Sequence, residues 1–272
     1  MVLSRSARIA LRVFLGLVLF FLYIPLVLVL VNSFNASHVF SWPPQSYTTE
    51  WWTEALHNEG ARSALLESLK VATYATTIAL VLGTMISFAV ARYSWFGRDS
   101  ISFLFILPIA LPGIVTGVAL QNAFINVLPV VGIDVSLGLL TVVIGHATFC
   151  IVVIFNNVAA RLRRSTRSME EASMDLGAST FQTFFHITFP QVRSALLAGG
   201  LLAFGLSFDE IIVTQLTAGA GIKTLPLWIY ENLSRPNLAP VVNVVAALVI
   251  VLSVIPVYLA QRLSDDPTDT RV

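Results

Sequence analysis

Apolar positions along the chain fall into six long, charge-poor stretches, 13–31, 71–91, 101–127, 135–160, 194–216 and 239–260, separated by shorter polar segments. Crossing a bilayer takes about 20 apolar residues. In lipid such stretches must be helical, because every backbone amide needs a partner within its own segment. The pattern therefore predicts an all-α, polytopic membrane protein with six transmembrane helices forming one transmembrane domain over residues 1–272. The first stretch follows Arg5, Arg8 and Arg12, as in a signal peptide. Its 19-residue apolar core, with no clear small-residue cleavage site after it, instead predicts an anchor that stays.

Orientation comes from the basic residues, which concentrate on the cytoplasmic side of a membrane protein. With the N-terminus inside, 12 of the 16 Lys and Arg fall inside, among them Arg92, Arg98, Arg161, Arg163, Arg164, Arg167, Arg193 and Arg262; Arg62, Lys70, Lys223 and Arg235 fall outside. Six spans then place both termini in the cytoplasm of a cell-membrane protein. Trp42, Trp51, Trp52, Trp95 and Trp228 fall at the interfaces, where amphipathic rings collect. The outer segment 32–67, with Pro43, Pro44 and paired tryptophans, is expected to lie along the outer surface.

Composition narrows the chemistry. The chain is 56% hydrophobic and 11% charged with a net charge of +1, which gives no bulk basicity for nucleic acid. Its one cysteine, Cys150, excludes an internal disulfide. A phosphate-binding GxxxxGK loop needs Gly immediately before Lys, and the two lysines come after Leu69 and Ile222, so this chain holds no such nucleotide motor. The motifs HExxH, GxSxG and GxGxxG are absent, and His38, His57, His146 and His186 are too scattered for a metal motif. No catalytic residues and no metal ligands are expected.

The inner segment 161–193 is the most informative connection. Ser168 with Glu171, and Ser179 with Gln182, have capping-box spacing, and Gly177 is suited to end a helix in the left-handed conformation. Two short helices at an angle are predicted, with Pro190 where span five begins. The first would present an apolar side, Met169, Ala172, Ser173 and Leu176, to a partner groove or to lipid head groups. Glu171-Ala172-Ser173, Gly177 after three more residues, then Ile187 and Pro190 resemble the EAA loop of binding-protein-dependent ABC importer permeases, with Ser173 for the second Ala and Phe189 for the usual Leu. The resemblance implies the type I ABC importer permease fold. It also implies that Glu171, Ala172 and Gly177, with Met174 and Asp175 beside them, couple the chain to a separate ATPase.

Asp209 and Glu210 interrupt the apolar fifth stretch about 16 residues, or ~24 Å, beyond Arg193. Ionisable residues at such depth usually face a bundle interior or a water-filled path. On one continuous helix Ser207, Glu210, Thr214 and Thr217 would form a polar stripe, which gives Glu210 the stronger claim to the path, with Asp209 on another face, turned across a subunit boundary or to a nearby donor; early termination of the span would instead put both acids at the outer interface. Carboxylates beside Phe204, Phe208 and Trp51 suit an alkyl cation and would repel phosphate or sulfate. Gln121, Asn122, Asn126 and His146 either line the path or satisfy one another between helices, and Pro108 and Pro112 are expected to kink span three. The run Leu206-Ser207-Phe208-Asp209-Glu210, together with Thr224 to Tyr230 and 235–262, resembles the spermidine/putrescine branch of the same permease family.

That resemblance implies an importer of polyamines. It implies a second homologous permease, a dimer of ATPase subunits that carries the ATP and Mg, and an extracytoplasmic binding protein as partners, with no cofactor in this chain. Two alternatives remain open: import of another small amine or an amino acid such as 4-aminobutyrate, and an ion-coupled secondary transporter using Asp209, Glu210 and His146 as a proton relay.

Overall fold

In a computed structural model the described residues are 4–38, 42–98, 100, 103 and 111–264, with side chains described as far as 254 and at 258. Helix α1 (Arg5–Asn32) is followed by a short α2 (Glu50–His57) and a long α3 (Glu59–Arg92). Then come α4 (Gly113–Asn122), α5 (Leu139–Arg164) and the short α6 (Ser168–Asp175). A helical run, α7 (Thr180–Phe208), leads to α8 (Ile212–Thr217), α9 (Leu225–Asn232) and α10 (Ala239–Ser264). Among the described residues the extended pairing is one isolated antiparallel bridge, Asn35 with Tyr47. By length and composition α1, α3, 113–131, α5 and α7 can each cross a membrane, and α10 contributes a shorter apolar helix over Ala239–Val254.

Several boundaries differ from those expected, each for a local reason. Helix α3 starts at Glu59, twelve residues before the expected 71, because Asn58 caps it by accepting from the Ala61 amide at 2.9 Å. Span three does not pass through Pro112 as a kinked helix. Pro112, extended at ψ 135°, starts α4, and a proline suits a helix start because its missing N–H leaves no bond unmade. Pro108 lies outside the described residues. Beyond α4 the chain tightens from a π turn at Ala123–Val127 to a 3-10 turn at Leu128–Val131, ended by Gly132 at φ +81°. Helix α5 runs to Arg164, so the basic cluster forms its last turn, where cations oppose the negative end of the helix dipole.

The chain divides into two units. The first comprises 1–62 and 228–254. There Phe34 stacks on Trp52 with ring centroids 5.1 Å apart. Helix α1, with Pro25 inside it, carries apolar side chains exposed all round, as befits a lipid-facing helix.

The second unit comprises 63–227 and 255–272, and its core is a packed cluster including Ala79, Cys150, Ile154, Val158, Leu162, Val192, Ala203 and Val213. Residue pairings give its topology directly. Ser87 Oγ reaches the Phe155 carbonyl at 3.2 Å and Arg92 Nη1 the Leu162 carbonyl at 3.5 Å, so α3 and α5 run parallel. His146 meets Ser207, and Cys150 Sγ reaches the Ala203 carbonyl at 3.4 Å, so α7 runs antiparallel to α5. A Cβ on Gly113 would approach Ile212, and one on Gly117 would fall 2.6 Å from Leu216, so α4 and α8 run side by side in one direction. These directions are those of successive membrane crossings. Small residues permit the closest approach: a Cβ on Gly83 would stand 2.8 Å from Ile154 Cβ, closer than packing allows.

Candidate translocation site and coupling loop

The acidic pair lies at a break in the fifth span. Helix α7 ends at Phe208, Asp209 is its C-cap at φ −92° and ψ 0°, and α8 begins at Ile212. The expected single-helix stripe is therefore not formed. Its members meet across a turn instead. His146, fully buried on α5, contacts Ser207 Oγ through Nδ1 at 2.8 Å and Thr214 Oγ1 through Nε2 at 2.9 Å, fastening both sides of the break. Thr217 is also buried, and its carbonyl accepts from Thr141 Oγ1 at 2.7 Å.

The two carboxylates occupy different surroundings. Glu210 Oε1 accepts from the Val213 amide at 2.9 Å, the position of a side-chain cap at the start of α8. A Cβ on Gly113 would lie 4.0 Å from the same oxygen, so Glu210 stands at the N-terminal ends of both α4 and α8, where a negative charge is favoured. Asp209 is exposed, and among the described residues its carboxylate has no hydrogen-bond or ion-pair partner. It sits at the C-terminal end of α7, where the helix dipole is negative. Phe208, half-buried, stacks with Phe204 at 6.2 Å and an interplanar angle of 21°. Trp51 belongs to the first unit, where its indole N–H donates to the Asn35 carbonyl at 3.1 Å and its ring meets His38 at 4.9 Å. Of the other intramembrane polar residues, Asn126 Nδ2 donates to Asn122 Oδ1 at 2.6 Å along their own helix.

The loop between α5 and α7 forms a rigid corner. Gly177, at φ +89°, ends α6 with both bonds of a Schellman motif: its amide donates to the Met174 carbonyl at 2.9 Å, and Ala178 to the Ser173 carbonyl at 3.1 Å. The Ser168 box expected at the other end does not form. Ser168 is already the first helical residue, Arg167 precedes it in helical geometry, and no side chain caps the amides. The Ser179–Gln182 box does form, with reciprocal bonds of 2.9 and 3.3 Å. The helix it opens is not a separate second one. Thr180–Thr183 continues through a π turn at Phe184–Thr188 into Phe189–Phe208, and the extra residue of the π turn precedes Pro190, whose ring and missing N–H disrupt a regular ladder.

Glu171, Ala172, Met174, Asp175 and Gly177 are all exposed on α6 and its end. Glu171 touches Arg167, the residue just before its helix, at 3.8 Å, with both side chains 60% exposed. Its neighbour is the more enclosed acid: Glu170 Oε1 lies 2.7 Å from Arg92 Nη2 and accepts from Thr188 Oγ1 at 3.3 Å. Ser173 Oγ meets Thr183 Oγ1 at 3.1 Å, and Arg161 Nε donates to the Gln191 carbonyl at 2.9 Å. The Arg92–Glu170 pair joins residues 78 apart, a separation at which periodicity carries no signal.

Comparison with known proteins bears on this arrangement. Residues 79–267 match the family model of the binding-protein-dependent transport system inner membrane component. The chain is 34% identical over 232 residues to the putrescine transport system permease protein PotI of Escherichia coli K12, covering 85% of this chain and 82% of that one. It is 32% identical over 249 residues, 91% of each chain, to the spermidine/putrescine transport system permease protein PotC of the same organism. Among solved structures, a bacterial ABC transporter involved in import of the acidic polysaccharide alginate superimposes with a TM-score of 0.69 at 17% identity, over 97% of this chain and 98% of that one, a likeness of fold. The chain thus belongs to the binding-protein-dependent transport system inner membrane components, and is a multi-pass, non-catalytic permease subunit of an ABC importer.

Proposed function

We propose that this permease imports polyamines such as spermidine or putrescine into the cytoplasm, driven by ATP hydrolysed on a partner chain. The observation that carries the reading is the break at residues 209–211, where an Asp209 carboxylate without a partner among the described residues and the negative end of α7 offer anionic character within an otherwise apolar span. Discontinuous helices of this kind are how transport proteins present charge and backbone to a cargo inside the bilayer. An alkyl diamine or triamine matches it by charge, and the Phe204–Phe208 pair adds ring faces for its ammonium groups and methylenes. The similarity to putrescine and spermidine/putrescine permeases supports the same cargo class.

In this reading a second homologous permease completes the pathway, an extracytoplasmic binding protein delivers cargo, and two ATPase subunits hold ATP and Mg. Both termini are cytoplasmic. Glu171, Ala172, Met174, Asp175 and Gly177 form the surface that meets the ATPase, since α6 exposes them together on a helix that Gly177 terminates rigidly. Closure of the ATPase displaces α6, the spans open the acidic break outward to receive cargo, and hydrolysis returns it inward. The test is uptake of labelled putrescine and spermidine into proteoliposomes holding the assembled complex with ATP inside. ATP-dependent accumulation, blocked by an excess of either amine and not by sulfate, is expected. Accumulation driven by an ion gradient without nucleotide would overturn the reading.

A further inference from the structure

The loop divides its two adjacent acids between two tasks. Glu171 is exposed, and among the described residues its side chain meets Arg167, the residue just before α6, whereas the Glu170 and Arg92 side chains are only 13% and 11% exposed and lie 2.7 Å apart. Arg92 is the last residue of α3, and its other terminal nitrogen faces the Leu162 carbonyl near the end of α5 at 3.5 Å. Thr188, in the π turn of α7, donates to the same Glu170 oxygen. One carboxylate thus joins the coupling helix to the inner ends of three spanning helices. The other polar ties of α6 are to α7 and its flanks, through Ser173 with Thr183 and Met169 with Gln191. Among the described residues, Glu170–Arg92 is its polar connection to α3.

We propose that Glu170 is a positioning residue that delivers displacement of α6 to the inner ends of α3 and α5, leaving Glu171 to the ATPase surface; this rests on the reading of α6 as the coupling helix. A mostly buried ion pair with a further hydrogen bond resists separation, because pulling it apart leaves a poorly solvated charge without its partner. A push on α6 therefore moves Arg92 with it. Without the pair, α6 remains docked on α7 and the ATPase can still bind and turn over, yet motion reaches α3 only through slack.

The test measures solute imported per ATP hydrolysed by the assembled complex in proteoliposomes. For Glu170→Gln the expected result is ATPase capture and hydrolysis near wild type, with imported solute per ATP reduced at least about five-fold, the low end of coupling between sites. Arg92→Glu should behave alike, and the charge exchange Arg92→Glu with Glu170→Arg should recover most of the ratio, which a merely structural loss would not do. Thr188→Val, which keeps the ion pair, should lower the ratio less. An unchanged ratio in Glu170→Gln, or no recovery in the exchange, overturns the proposal while leaving α6 as coupling helix intact. A wild-type complex whose transport ignores ATP would overturn both.

Discussion

Asp209 and Glu210 show how neighbours of the same chemistry acquire different surroundings. Glu210 caps α8 through the Val213 amide, so its replacement by Gln, which retains an accepting carbonyl, should leave uptake nearly unchanged, while Glu210→Leu should destabilise by about 0.5–2 kcal/mol, read by thermal unfolding in detergent. In the proposed reading Asp209 keeps its carboxylate for cargo. Losing a hydrogen bond to a charged group costs about 1.5–3 kcal/mol, so Asp209→Asn should raise the KM for spermidine about ten-fold or more, measured as initial uptake rate against concentration. Equal uptake by Asp209→Asn would remove the acidic break from the pathway. His146 is a third residue-scale case. His146→Leu orphans the buried Ser207 hydroxyl, which has no other partner among the described residues, and should cost about 1–3 kcal/mol in the same unfolding measurement.

At the scale of elements, turns decide more than helices do. The Schellman corner needs φ +89° at Gly177, a conformation that costs a residue with a Cβ roughly 1–2 kcal/mol, although a Cβ there would meet nothing. Gly177→Ala should therefore fray the end of α6 and weaken co-purification of the ATPase without unfolding the spans; full retention of the ATPase would argue against a rigid corner. Gly83 is the opposite case, ordinary in conformation and crowded in space. Gly83→Leu should separate α3 from α5 and destabilise by about 1–3 kcal/mol. The spans themselves, the Gly177 end and the Ser179–Gln182 box are legible in sequence because each rests on neighbours within a few residues. The absent Ser168 box has matching spacing and fails because the preceding Arg167 is already helical.

For the whole molecule, the residue pairings along α3, α5 and α7, and along α4 and α8, agree with alternating crossings that collect Arg92, Leu162, Glu170 and Thr188 at one end of the second unit. In the proposed orientation, charge asymmetry makes that end cytoplasmic. A fluorescent protein fused after Val272 should therefore fold and fluoresce, whereas a reporter active only outside should work when inserted in 32–49. The native Cys150 is fully buried and should resist membrane-permeant maleimides in the folded protein, giving a clean background for single-cysteine mapping. Labelling it in the native state would place α5 wrongly. No residue in the apolar window of helix α1 is buried within this chain, consistent with a subunit that meets lipid and other helices.

By itself the sequence determined the multi-pass helical class, the family, the Gly177 corner and the absence of a nucleotide-binding loop, because these depend on segment hydrophobicity and short spacings. Only the tertiary structure decided that the fifth span breaks at Asp209, that Pro112 starts a helix beside that break, that His146 fastens its two sides, and that Glu170 rather than Glu171 is tied to α3. Periodicity assumes an unbroken helix and sees partners three or four residues away. A break and an ion pair 78 residues apart are settled by which carbonyls, amides and charges find partners once the helices pack.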